Sequence, residues 1–304
     1  MLQGDPGGVF QSGREITDQE LSEIQETVDL FPKLSRTELA ATICENLGWV
    51  TPSGGLKLDA CNKLLDKLES KGSVRLPDRR EELAKPRPRK PISLTKRTEP
   101  QPDIVCDLSQ LDSVRVEVVK DKESMGLWNE YMFRYHYLGY KYPFGTFMKY
   151  FVVSDQGILG CILFAGASRA IAPRDRWIGW GEKERMKNLS WVTNNSRFLI
   201  FEWVRVKNLA SHVLGKTVRR IKDDWEERWG FKPLLIETFV DPRRYHGSCY
   251  KAANWKYLGM TTGEGLARKG KTYTTTPKMI FVNPLAKNFR SLLCSDRLEG
   301  TVEK

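Results

Sequence analysis

Apolar residues recur every three or four positions through residues 17–72, and the punctuation between them marks out three helices. Thr17 stands three residues before Glu20, a capping-box spacing, and Leu21, Ile24 and Val28 follow on one face as far as about Leu30. A second box, Ser35 with Glu38, opens a helix in which Leu39, Ile43 and Leu47 recur every four residues until Gly48 stops it. Past the turn at residues 51–55, Leu58, Cys61, Leu64, Leu65 and Leu68 form the inner face of a third helix that ends at Gly72. A short extended piece, residues 73–77, comes next. Helix, helix, glycine-rich turn, helix and strand is the plan of a winged helix, whose third helix enters the major groove.

Beyond Asp103 the periodicity mixes. Residues 114–119 read as a strand, 122–135 as a helix, and 147–154 with 158–167 as a hairpin turning at 155–157. A strand is predicted over 198–206. A helix over about 211–229 follows, with Leu214, Val218, Ile221 and Trp225 facing inward. Residues 234–240 read as a buried strand, 247–258 as a helix and 278–282 as a last strand before a weakly patterned tail. This order predicts an α+β domain with a mostly antiparallel sheet and flanking helices. It is similar to the N-acetyltransferase (GNAT) fold. That family has a glycine-rich turn before its central helix, whereas this chain has Lys207-Asn-Leu-Ala-Ser-His212 there. No cofactor is therefore expected, and acyl transfer is the least favoured function.

The segment from Lys85 to Arg97 carries six basic side chains, three prolines and no acid, which marks a linker. The expected organisation is thus a disordered start at 1–14, a winged-helix-like module at 15–84, a basic linker at 85–103, a GNAT-like α+β domain at 104–285 and a tail at 286–304. The 49 Lys and Arg against 38 Asp and Glu give a formal charge of +11, which favours polyanionic partners. Six cysteines without a Cys-x-x-Cys pair argue against a disulfide framework, and the start lacks a secretory pattern. The longest apolar run, 158–167, is too short to span a bilayer, so no membrane partner and a cytoplasmic location are expected.

Candidate chemistry concentrates in three places. On the third helix, Lys57, Asn62, Lys63 and Lys67 are predicted to face outward, with Arg75 just beyond. These are residue types that read base edges or pair with phosphate. Residues 128–151 hold eleven aromatics in twenty-four positions, a source of stacking platforms for bases as well as of core. Arg169, Arg174 and Arg176 follow the hairpin as candidate phosphate contacts, and Arg197 is a further candidate for nucleic-acid binding. The densest polar stretch runs from Pro233 to Trp255. Period-two alternation puts Glu237 and Asp241 on one face but about 13 Å apart, too far for a tight acid pair. A carboxylate mid-strand needs a partner, and Arg197, His136, Tyr250 and Lys251 are the candidates for Glu237. His246 and Cys249 alone do not make a zinc site, and no metal is expected.

Tyr135-His-Tyr-Leu-Gly139, Arg174-Asp-Arg-Trp-Ile-Gly-Trp180, Asn195-Ser-Arg-Phe-Leu-Ile200, Asn208-Leu-Ala-Ser-His212, Glu237-Thr-Phe-Val-Asp241 and Gly247-Ser-Cys-Tyr-Lys-Ala-Ala-Asn-Trp255 together resemble the DruA family of Druantia anti-phage defence systems. The resemblance runs from about residue 15 to 285. Glu202 and Ser248 stand where that family usually has proline and threonine. The resemblance implies a role in bacterial defence beside a helicase-like partner and other subunits, and related domains in transposase-like proteins point to DNA, single or double stranded. It supplies no catalytic residues. The function expected is a nucleic-acid-binding defence component. The alternative is an enzyme acting on nucleic acid, with Glu237, Asp241, His136 and Tyr250 as acid, base or nucleophile.

Overall fold

Val9–Gln11 (β1) alternates apolar and polar residues, turns at Ser12 and Gly13, and pairs antiparallel with Arg14–Ile16 (β2). This hairpin occupies part of the stretch that the sequence predicts to be a disordered start; three residues per strand are too few for periodicity to declare them. The computed structural model describes residues 9–32, 34–76, 91–264 and 275–298. Three helices follow: Asp18–Leu30 (α1), Arg36–Asn46 (α2) and Leu58–Ser70 (α3). Both predicted capping boxes are formed, with the Thr17 and Ser35 hydroxyls accepting from the Glu20 and Glu38 amides. Residues 73–76 are extended without forming a strand. The chain past Leu76 and the linker as far as Lys90 lie outside the described residues.

The second part of the chain begins with short strands at Ile104–Cys106 (β3) and Arg115–Val118 (β4), then the helix Lys122–Tyr135 (α4). Phe147–Ser154 (β5) and Gly157–Gly166 (β6) make the predicted hairpin. Two short helices, Ala172–Ile178 (α5) and Glu182–Asn188 (α6), are not apparent in the hydrophobic pattern. Then come Val192–Ile200 (β7), Val204–Val206 (β8), the long helix Leu209–Trp229 (α7) and Leu235–Val240 (β9). Ser248–Ala252 (α8), Lys256–Met260 (β10), Met279–Pro284 (β11) and Phe289–Leu293 (α9) complete the order.

Two predicted elements are corrected. The strand expected at 198–206 begins instead at Val192 and breaks after Ile200, where Phe201 accepts the Val204 amide in a tight turn. The helix expected at 247–258 ends at Ala252, because Asn254 adopts φ 62° and releases the chain into edge strand β10.

The chain forms two compact units, each with its own core. One contains residues 1–88, 180–189 and 292–304. Its core is built from residues such as Ile24, Leu39, Ile43, Leu64 and Leu68. Within it the hairpin packs on α6: a Cβ at Gly13 would lie 2.5 Å from the Lys187 amide nitrogen, and Gly13 has φ 82°. Asn188 in turn donates to the Leu293 and Ser295 carbonyls at 2.9 and 2.8 Å.

The other unit contains residues 89–179 and 190–291. It is a mixed α+β body around a seven-stranded sheet of order β10-β11-β9-β7-β6-β5-β4, antiparallel except for the central pair β7 and β9. The last part of the predicted linker packs on this unit. Buried Glu130 on α4 accepts from the Thr95 amide and from the Thr95 and Thr98 hydroxyls.

Candidate functional site

Strands β7 and β9 pair in parallel only over Val192–Asn194 and Leu235–Glu237. Thr238 Oγ1 donates to the Asn195 carbonyl at 2.9 Å, and beyond this last tie the strands diverge. A bulge in β7 opposite Leu163 and Phe164 adds to the divergence. The carboxyl ends of parallel strands bordering such a gap are a common place for ligands. A cleft of about 640 Å³ opens here. Its walls include residues 194–200 of β7, residues 238–240 of β9 with Asp241 just beyond, Tyr135 at the end of α4 with the following residues 136–138, and residues 244–250. Gly247 lets that loop close in, since a Cβ there would lie 2.6 Å from the Phe281 ring.

The two candidate carboxylates are already answered. Glu237 is fully buried behind the cleft, where Arg174 Nη1 reaches its Oε2 at 2.7 Å and the Ser168 amide its Oε1 at 2.7 Å. Burial pushes its carboxyl up, and the Arg174 charge and the hydrogen bonds from Arg174 and the Ser168 amide oppose that rise. Its partner is thus Arg174, which also binds Asp175, and not Arg197, His136, Tyr250 or Lys251. Asp241 closes the strand as predicted, but it caps a turn: Arg243 donates to it through its guanidinium at 2.9 Å and its amide at 3.0 Å. These bonds hold its carboxyl down to about 2. Asp241 is therefore not poised to take a proton near neutrality.

What the cleft presents instead is cationic and aromatic. Arg197 donates to the Gly139 and Ser196 carbonyls and has no carboxylate partner among the described residues. Burial lowers its pKa. His136 is pushed down to about 4 by burial and by Arg197, so it is neutral at pH 7. Its Nδ1 accepts the Leu138 amide at 3.2 Å, which places the remaining proton on Nε2 and makes it a donor. Tyr250 donates to Asn195 Oδ1 at 2.8 Å and stacks on Phe281, a buried support rather than a free nucleophile. Asn194 Oδ1 and Ser196 Oγ are buried in the wall with no hydrogen-bond partner among the described residues. Ring contacts join Tyr137 to Tyr245 at 5.9 Å, and Arg244 lies 4.9 Å over Tyr137.

No curated protein matches the chain. A family profile described as Druantia protein DruA matches residues 68–275, which take in all of the cleft lining except Lys278. The chain belongs to the DruA family. Solved structures similar to it include a Bacillus subtilis acetyltransferase in complex with CoA, at 10% identity and TM-score 0.33, covering 57% of this chain and 100% of that one. Aminoglycoside acetyltransferase AAC(6')-Ib in complex with coenzyme A gives 14% identity and TM-score 0.38, covering 60% and 100%. An N-acetyltransferase from Staphylococcus aureus Mu50 gives 10% and 0.37, covering 58% and 100%. In the DruA-family chain Asn208, at φ 64°, takes the left-handed position before α7, and Ala210 of that helix lines the cleft.

The remaining predicted contacts are dispersed. In the DruA-family chain Arg174 is fully buried and committed to Glu237, so it cannot meet phosphate, whereas Arg176 is exposed on α5. Lys57 does not face outward from α3. It precedes the helix, and burial lowers its pKa. Lys67 donates to the Phe10 carbonyl at 3.3 Å, Asn62 is half-buried, and Lys63 and Arg75 are exposed. Sequence reasoning did not single out Tyr137, Asn194, Ser196, Arg244 or Tyr245. All five lie in or beside motifs quoted above, but no spacing rule connects two separate strands to a loop. Among the described residues no cluster of His, Cys, Asp and Glu could hold a metal ion, and no helix is long and apolar enough to cross a membrane.

Proposed function

We propose that this chain binds nucleic acid for the defence system to which its family belongs, with a phosphodiester backbone seated at the β7–β9 cleft. DruA-family membership implies a component of a Druantia anti-phage system, working with other subunits of that system. The observation that carries the nucleic-acid reading is Arg197, a half-buried guanidinium in the cleft wall with no carboxylate beside it. A buried cation is costly unless paired, and both nearby acids are already neutralised by Arg174 and Arg243. An anionic ligand supplies the missing partner, and the overall charge of +11 favours a polyanion. The first unit acts in this reading as a winged-helix-type module that holds DNA through Lys63 and Arg75. A helicase-like subunit that produces single strands is the partner it calls for, with phage DNA or a replication intermediate as the target.

Fluorescence anisotropy of the full-length protein with single- and double-stranded DNA across a salt series tests this. Binding should weaken steeply with salt, and Arg197→Ala should lower affinity while reducing the log–log slope by about one. Salt-insensitive binding, or an unchanged slope in Arg197→Ala, removes the cleft from the interface.

A further inference from the structure

A phosphate alone does not account for the cleft. Its volume of about 640 Å³ falls within the roughly 300–1,000 Å³ of sites that enclose small organic molecules. Its chemistry is also divided. Arg197 answers charge, whereas Tyr245, 54% exposed, presents an open ring at the mouth. Tyr137 beside it has Arg244 over its face and His136 stacked at 4.9 Å, so the platform is held in place.

Deeper in the wall, His136 Nε2–H donates to no described residue, and Asn194 Oδ1 and Ser196 Oγ are buried without partners. Buried polar atoms are almost always hydrogen-bonded, and the exceptions need a reason. A donor, an acceptor and a hydroxyl in one cleft, beside an aromatic platform, match the requirements of a flat heterocycle with a hydrogen-bonding edge. Unstacked bases are read in this way, by stacking on rings and by bonds to the base edge.

We infer that the cleft receives one unstacked nucleobase of a bound single strand, laid against Tyr245 with its edge turned to His136, Asn194 and Ser196. This rests on the nucleic-acid reading above, since Arg197 then holds the adjoining phosphate. The base leaves its stack without covalent chemistry, and no proton needs to move.

The test uses the full-length protein and twelve-unit abasic strands, either fully abasic or carrying one central thymine, adenine, cytosine or guanine. At least one single base should tighten binding about tenfold or more over the abasic strand, in line with the worth of one base–aromatic stack. Tyr245→Ala should erase that increment and leave abasic affinity unchanged, and Tyr245→Phe should keep it. The inference is overturned if no base tightens binding, or if the increment survives Tyr245→Ala. In that case abasic binding that still depends on Arg197 leaves the nucleic-acid reading standing. Absence of binding to any strand, abasic or not, sinks both.

Discussion

Glu237→Gln takes from the buried Arg174 guanidinium the more deeply buried of its two carboxylates, leaving only Asp175 of the two. Removing one member of a buried pair costs about 3–5 kcal/mol, because the other charge stays desolvated. For a unit of this size that lowers the melting temperature by roughly 6–20 °C. Thermal denaturation should show the loss, and Arg174→Met combined with Glu237→Leu should recover much of it; a Glu237→Gln protein with unchanged melting would mean that the pair is not formed. Lys149 makes a different statement. It is fully buried, its Nζ meets Asn129 Oδ1 at 2.5 Å, and the Trp128, Tyr140, Tyr142 and Phe147 rings surround it at 4.7–5.6 Å. Burial, aided by Arg228, pushes its amine from 10.5 down to about 7, against rings that favour the charge. The unfolded chain therefore holds more protons than the folded one between about pH 7 and 10.5, and stability rises with pH across that window. Urea midpoints measured at pH 7 and 10 should differ in this direction, and the difference should shrink in Lys149→Met.

The helices of the first unit are set by their ends, and this made them legible. Two hydroxyl–carboxylate pairs, Thr17 with Glu20 and Ser35 with Glu38, satisfy amides that would otherwise be orphaned, and both appear in the sequence as fixed spacings. Ser35→Ala should cost about 1 kcal/mol, read as a lower urea midpoint for the first unit with the second unit's transition unmoved. The β5–β6 hairpin and α7 were equally legible, because each pairs one apolar stripe or alternation with a clear turn. Strand β7 was not. Its first half, Thr193-Asn-Asn-Ser196, is polar because it borders the cleft, so the residues that build the site erase the pattern that would have placed the strand. Arg174 was misjudged for a related reason: a charge in the sequence does not reveal whether water or a carboxylate answers it. The cleft residues could be named one stretch at a time. Their meeting could not, since it depends on two strands parting after three paired residues.

At the scale of the molecule, the family makes this a component of a defence system, and the two units divide the chain unevenly. The first unit is discontinuous: it gathers residues 1–88, then 180–189, then 292 onward. The hairpin seats on α6, and Asn188 at the end of α6 reaches the backbone of Leu293 and Ser295. Chains leave the ribosome at about 5–20 residues per second and domains tend to form as they emerge. The α+β unit has all of its sequence by residue 291. The helices of residues 18–70 must therefore wait until residues 292 onward are made, tens of seconds at the slower rates, before their last neighbours exist. A chain cut before residue 292 would leave this module without its last neighbours while every residue of the cleft-bearing unit is already present.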